Sequence, residues 1–158
     1  MNLHGGAPFA SIERQAKPVS VRCPMVRAKA EEQISAFLAN KPGVVANLSA
    51  GLADHGVSIK AMTVLDTVDI GTVRMVVDNV EVAKKALNEV GAAYVNVPVI
   101  TIPIPNKKGA FARIARTLAE HQINIEYFYA TAGVGADTTL GVFRVSDHKK
   151  ALEIDFDV

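Results

Sequence analysis

A chain of 158 residues is long enough for one domain of medium size or two small ones. Hydrophobic residues make up 49% of it and charged residues 21%, which excludes a wholly disordered chain, and no apolar run approaches the roughly 18 residues that a membrane span needs. The formal net charge of +1 is too balanced for a protein whose main partner is nucleic acid or an anionic membrane surface.

Residues 1–31 differ in composition from the remainder of the chain. Early glycines and prolines interrupt any helical or strand period, and basic side chains outnumber acidic ones. We therefore expect a disordered leader, without the apolar segment of a secretory signal. An organelle transit peptide and a start codon placed too early, with Met25 just before the first strand, are open alternatives. Cys23 is the only cysteine, so no intrachain disulfide can form and we expect a cytoplasmic protein.

The next segment, residues 32–98, is predicted to contain strand, helix, strand, strand, helix and strand. Asn40 stands where a helix N-cap belongs, and the apolar residues after it recur on one helical face until Gly56, the predicted left-handed C-cap. Alternating residues predict the second strand from Val57. The remaining predicted elements are a turn over 66–71, a strand over 72–77, a helix over 82–90 and a strand over 94–97.

The rest of the chain repeats this pattern at an offset of 66 residues. Asn40-Lys41-Pro42-Gly43 returns as Asn106-Lys107-Lys108-Gly109, and His55 returns as His121. Residues 99–158 are therefore predicted to form a second unit, with strands over 100–104, 123–130 and 138–145. Few residues follow its final helix, so its last strand is expected to be missing or vestigial, which leaves an open sheet edge.

The predicted fold class is α+β. Each βαββαβ unit with short connections should form an antiparallel sheet with both helices on one face, the ferredoxin-like arrangement. A unit of about sixty residues has a marginal core alone, so we expect the two units to share a sheet or an interface.

The duplicated loop, with its amphipathic helix and the Gly56-Val57-Ser58-Ile59 strand start, resembles the ACT domain, and residues 32–154 together resemble tandem ACT proteins of prokaryotes. The resemblance implies a non-catalytic regulatory protein without cofactor. ACT domains bind amino acids or related small metabolites at interfaces between units and control enzymes or transcription in amino-acid metabolism. A metabolic enzyme is therefore an expected partner.

The candidate ligand site is the loop that enters each first helix. A first helical turn presents unpaired N–H groups to a carboxylate, and glycine lets a ligand approach them. The first site comprises Asn40, Pro42, Gly43, Val44 and Val45. Its copy comprises Asn106, Lys108, Gly109, Ala110 and Phe111. A plain helix cap is the alternative at each loop, and the copy lacks the stiffening proline and carries a phenylalanine that we expect to narrow it.

Other candidates carry weaker signals. The paired His55 and His121 at helix ends indicate capping more than metal binding, and no catalytic triad pattern is evident. The pair Asp66-Thr67 is a minor candidate for the pocket.

The aromatic run at 127–129 is open to a rival interpretation as an RNA-stacking surface. Alternation places Tyr127 inward and Phe128 outward, with Met62 as its counterpart. We therefore expect the outer sheet face to be covered, either by a second copy in a homodimer or by a metabolic enzyme docked on it.

Overall fold

The computed structural model describes residues 25–65, 70–131 and 137–158. Residues 1–24 of the predicted leader, with Cys23, lie outside this part, as do Asp66-Thr67. The elements in chain order are β1 (Met25–Arg27), β2 (Lys29–Ala39), α1 (Val44–Asp54), β3 (Ile59–Leu65), β4 (Ile70–Val77), α2 (Val80–Glu89), β5 (Ala93–Pro105), α3 (Ala110–Glu120), β6 (Ile125–Thr131), β7 (Thr138–Val145), α4 (His148–Leu152) and β8 (Asp155–Asp157). Among the described residues, none of the helices is long and apolar enough to cross a membrane.

Six strands form one antiparallel sheet in the order β3-β4-β2-β5-β7-β6. The central strand β5 belongs to both units. Its residues 93–97 pair with β2 as the last strand of the first unit, and its residues 100–105 pair with β7 as the first strand of the second. The two predicted strands on either side of Pro98 are therefore one continuous strand, and the predicted sharing of a sheet is confirmed.

The start of β2 fills the place beside β5 that a last strand of the second unit would take. Residues 29–32 pair with residues 98–101 of β5. Residues 25–31, assigned from composition to the disordered leader, instead form β1 and the beginning of β2. The proline and glycine signal that suggested disorder ends at Pro24, and the pairing partners of residues 25–31 lie far along the chain, where local composition does not reveal them.

The last residues of the chain form the short strand β8, which pairs with β1 instead of β5. Phe156 is fully buried in β8. The Arg27 Nε donates to the Asp155 carboxylate at 2.7 Å across the pair. The vestigial last strand is therefore present, and the β1–β8 pair packs against α3 in the second hydrophobic core.

The four helices of the described residues cover one face of the sheet, as predicted. Ile34 and Ala36 of β2 pack with α1 and α2, whereas Ile100 and Ile102 of β5 pack with α3 and the C-terminal segment. Directly paired residues of antiparallel strands point to the same side, and Ile34 pairs with Asn96 while Ala30 pairs with Ile100. The two hydrophobic cores therefore lie side by side on one face.

The face of the sheet opposite the helices is concave. It carries a small apolar cluster that includes Ala61, Val76, Val99 and Val142, and Cα atoms of the edge strands β3 and β6 approach within 8 Å. The sheet thus curves around this cluster and buries most of it.

The prediction that Phe128 and Met62 face away from the helices is wrong. Phe128 packs against the helix-side core, and Met62 pairs with Met75, a residue of that core. Tyr127 lies on the helix-free face. The reason is an irregular register after Ile125 in β6 and after Ile59 in β3, since one extra residue in each strand reverses the alternation beyond it.

Candidate functional site

The helices α1 and α3 both begin at a glycine with a left-handed backbone. Gly43 and Gly109 are the N-cap residues, each with a φ of 86°, and neither helix has a side-chain cap. The prediction that Asn40 caps α1 is wrong, because the loop makes a tight turn after it. In that turn the Lys41 N–H donates to the Ala39 carbonyl at 2.9 Å, and the Val44 N–H donates to the Lys41 carbonyl at 3.3 Å.

The other two helices are capped by side chains. Asn79 accepts from the Val82 N–H at 3.1 Å, and Asp147 accepts from the Lys150 N–H at 3.0 Å. The first turns of α1 and α3 lack such a side-chain oxygen, although the Val44 and Ala110 N–H groups donate to the Lys41 and Lys107 carbonyls. The positive end of each helix dipole therefore faces the loop. Nothing lies within 4 Å of the position that a Cβ on Gly43 would take. The α1 entry is therefore open to an anionic group.

A cavity of about 250 Å³ lies beside the α1 entry. It is lined by Leu38, Val44, Asn47, Leu48 and Val90. Of the predicted site residues, Val44 lines it, while Asn40, Pro42 and Gly43 are exposed on the loop next to it.

Sequence reasoning missed the other four lining residues. Leu48 has the helical spacing of a core residue, which it also is, at 3% exposure. Val90 comes from the end of α2, and only the tertiary structure brings it to α1. Gly51 is a sequence feature that could have indicated the contact between α1 and Val90, since Val90 Cγ1 is 4.0 Å from where a Cβ on Gly51 would lie. A glycine inside a helix often marks such a close approach.

The corresponding region of the second unit is filled by protein. Ile104, Ala110 and Ile114, the counterparts of Leu38, Val44 and Leu48, are 7%, 1% and 0% exposed in one cluster with Phe156. Asn106, Lys108 and Gly109 remain exposed on the loop. The two loops therefore share a backbone conformation but differ in their surroundings.

Phe111 does not turn toward this loop. Its ring centroid lies 4.6 Å from that of Phe128 and 6.2 Å from that of Phe143. The Phe111 ring thus extends the core toward β6. We expected this side chain to narrow the second candidate site, and it does not do so. The Arg113 guanidinium instead approaches Gly109, with one terminal nitrogen 3.7 Å from a Cβ placed there.

The two equivalent histidines cap the ends of their helices, as predicted. His55 Nδ1 lies 2.7 Å from the Gly51 carbonyl oxygen, and His121 Nδ1 lies 2.8 Å from that of Thr117. The backbone hydrogen bond to Gly51 raises the pKa of His55, and the Glu89 carboxylate 3.1 Å away adds to this. Within the described ranges, no group of three or more His, Cys, Asp or Glu side chains is placed to hold a metal ion.

A second cavity, of about 320 Å³, lies at the far end of α3. Its lining includes His121, Lys150, Glu153 and Asp155. Two of these charged side chains, Lys150 and Asp155, are already used by the protein. Lys150 Nζ donates to the His121 carbonyl at 2.8 Å, and Asp155 is paired with Arg27. We therefore assign the candidate ligand site to the α1 entry.

A buried polar cluster connects the two units on the helix-free face. The Gln33 side-chain amide donates to the Tyr127 hydroxyl at 2.8 Å and to Ser35 Oγ at 2.9 Å. The Tyr129 hydroxyl donates to the Gln33 carbonyl oxygen at 3.1 Å. Arg74 lies over the Tyr127 ring at 3.8 Å from its centroid. The aromatic run at 127–129 therefore serves internal contacts, and the RNA-stacking interpretation finds no exposed aromatic ladder here.

Comparison with known proteins gives a family and a set of related folds. The family model of the ACT domain pair matches residues 30–157. No curated protein sequence matches the chain. The solved structure of protein BT0572 from Bacteroides thetaiotaomicron is 30% identical, with a TM-score of 0.73, and the match covers 80% of this chain and 86% of that one.

Two further structures share the fold at lower identity. The ligand-free regulatory subunit of aspartate kinase from Thermus thermophilus is 17% identical, with a TM-score of 0.64 over 82% of this chain and 91% of that one. Aspartokinase III of E. coli, in complex with lysine and aspartate, is 13% identical, with a TM-score of 0.54 over 87% of this chain and 32% of that one.

Proposed function

The chain belongs to the family of ACT domain pairs, and on this premise we propose that it is a non-catalytic regulatory protein that binds an amino acid or a related small metabolite. The observation that carries the proposal is the α1 entry, where a glycine N-cap and uncapped first-turn amides adjoin a cavity of about 250 Å³. The fold relationship to a regulatory subunit of aspartate kinase supports a regulatory role.

The ligand carboxylate binds at the start of α1. Backbone N–H groups of the first turn and the helix dipole stabilise an anion there, and Gly43 leaves the approach free. Asn40 or a loop carbonyl receives the ligand amine. Because the counterpart region of the second unit is filled, the first loop is the principal site and the Asn106–Phe111 loop is vestigial.

Ligand binding regulates by favouring one packing of the units over another. A ligand shifts such an equilibrium only by the difference in its affinity for the two states. A second copy of the chain would supply the neighbouring unit at the α1 entry, so we propose a homodimer. The regulated partner is a metabolic enzyme, and the proposed location is the cytoplasm.

A second function rests on an apolar patch on the helix-free face. Phe37, Leu65 and Val95 are 41%, 39% and 49% exposed. They lie close together on one face of the sheet. Phe37 and Leu65 flank Thr72 of β4 from either side, and Val95 pairs with Ser35, two residues from Phe37. The alternative function is an interaction module that docks a metabolic enzyme through this patch, with vestigial ligand pockets.

A thermal-shift screen of the full chain against the twenty amino acids tests the first proposal. At 100 times its dissociation constant, a ligand adds about 2.7 kcal/mol to the free energy of unfolding, which raises the midpoint measurably. One or a few amino acids that raise the midpoint support a sensor. No shift with any of them would contradict it, and loss of enzyme binding by a Leu65→Lys variant would then favour the docking module.

A further inference from the structure

Most of the side chains that line the cavity at the α1 entry are apolar. Leu38 comes from the end of β2, Val44 and Leu48 from one face of α1, and Val90 from the end of α2. Among the described lining residues, Asn47 supplies the one polar side chain, and it is exposed at the surface. None of these described lining side chains carries a charge. A group that enters this cavity must therefore gain its free energy from apolar burial.

A charged group enclosed in this cavity would lose much of its hydration, and among the described lining side chains only the uncharged Asn47 could replace it. Burial of an unpaired ammonium or carboxylate is strongly unfavourable. The nearest acidic neighbour along the chain, Glu89, is already paired with His55 at 3.1 Å. The lining thus discriminates between ligands by the cost of desolvating their side chains. This cost is much larger for a charged side chain than the differences in burial free energy among apolar ones.

The second unit shows which chemistry the same region accepts. There the counterparts of Leu38, Val44 and Leu48 are buried in a cluster that also holds Phe156 and Val158, which are 0% and 2% exposed. That region of the second unit is therefore part of a closed hydrophobic core. In the first unit the chain leaves the cavity open at Val90, which is 53% exposed.

We infer that the cavity selects the side chain of the ligand, and that the ligand is an α-amino acid with an uncharged, apolar side chain between valine and phenylalanine in size. The inference rests on the proposed function, which places the ligand carboxylate on the first turn of α1. Val44 belongs to that turn and also lines the cavity, so one ligand reaches both.

Titration calorimetry on the full chain tests the inference with a matched pair of ligands. Norleucine and lysine share a four-carbon side chain, and lysine adds a terminal ammonium. We expect norleucine, leucine or phenylalanine to bind at least tenfold more tightly than lysine or aspartate. A charged amino acid that binds as tightly as the apolar ones would overturn the inference and leave the proposed function in place.

Variants at Val90 locate the selectivity in the cavity. Val90→Glu places a carboxylate at an exposed rim position and should weaken leucine binding at least tenfold without changing the thermal midpoint of the free protein. Val90→Phe should weaken binding by filling the cavity. Met25→Glu, at an apolar position that is 62% exposed in β1, is the control and should bind as the unaltered chain does.

The outcomes distinguish a failure of the cavity assignment from a failure of the proposed function. Unchanged leucine affinity in Val90→Glu and Val90→Phe would overturn the cavity assignment, whereas binding of some amino acid would still support the proposed function. Failure of every amino acid to bind would overturn both.

Discussion

Gln33 and Tyr127 lie 94 positions apart in the chain and are joined by a hydrogen bond of 2.8 Å that crosses the interface between the two units. Gln33 is fully buried in β2, and its side-chain oxygen accepts from the Tyr129 hydroxyl as well. A buried amide with all these partners fixes the relative position of β2 and β6, because any shift of one unit leaves polar groups without hydrogen bonds.

We expect Gln33→Leu to lower the free energy of unfolding by about 2 kcal/mol. The substitution removes three hydrogen bonds and leaves the tyrosine hydroxyls without their partner in a largely buried setting, where each unsatisfied group costs roughly 1–3 kcal/mol. Urea denaturation measures the change. A double-mutant cycle with Tyr127→Phe isolates the pairwise part. Equal stability of Gln33→Leu and the unaltered chain would show that the cluster does not hold the units together.

Substitution of the two loop glycines should separate the two predicted sites. Gly43→Val and Gly109→Val place a β-branched residue at the same φ of 86°, so both should lose about 1–3 kcal/mol of stability through backbone strain. Only Gly43→Val should abolish ligand binding, because the first loop adjoins the open cavity. Calorimetry and thermal midpoints measure both effects. Loss of binding in Gly109→Val alone would assign the ligand to the second loop.

Much of this fold could be predicted because its signals are local. Helix periodicity with Gly56 and Gly91 as left-handed stops gives the end of α1 and both bounds of α2 within two residues, and the β7 range is reproduced at both ends. The start of α1 lies three residues after the predicted one, because Gly43 and not Asn40 is the N-cap. The repeat at 66 residues then carries the topology from the first unit to the second.

The parts that could not be predicted depend on contacts between distant segments. The pairing of β1 with β8 joins the two ends of the described chain. The register irregularity after Ile125 reverses the sides of Tyr127 and Phe128, and no local residue type marks it. For the same reason, only part of the candidate cavity could be predicted. Val44 belongs to the predicted loop site, whereas Val90 reaches the cavity only through the packing of α2 on α1 near Gly51.

Protonation of His55 should depend on its two partners. The Gly51 carbonyl and the Glu89 carboxylate both favour the imidazolium, so we expect a pKa above 6.5 in the folded chain. A group whose pKa is raised by folding contributes stability that is fully present below its unfolded pKa and is lost as the pH rises through the folded pKa. The pH range over which this contribution to stability is lost therefore begins near 6.5 and extends upward.

An NMR titration of the imidazole resonances measures the His55 pKa directly. Glu89→Gln should lower that pKa but leave it raised, because the Gly51 carbonyl is the larger cause. A His55 pKa at or below 6.5 in the unaltered chain would contradict the assigned contacts. The pH dependence of unfolding in His55→Asn, compared with that of the unaltered chain, shows whether the proton is linked to stability.

Phe156 should be critical for the second unit although only two residues of the sequence follow it. Its side chain is 0% exposed between α3 and the β1–β8 pair, so Phe156→Ala should cost about 3–5 kcal/mol by loss of apolar burial and creation of a cavity. Phe37→Ala is the matched control, since the 41% exposed ring of Phe37 has less burial to lose. Urea denaturation of both variants gives the comparison. Equal, small losses of stability would mean that β8 does not close the second core, whereas the expected difference would show that Phe156 of β8 is part of it.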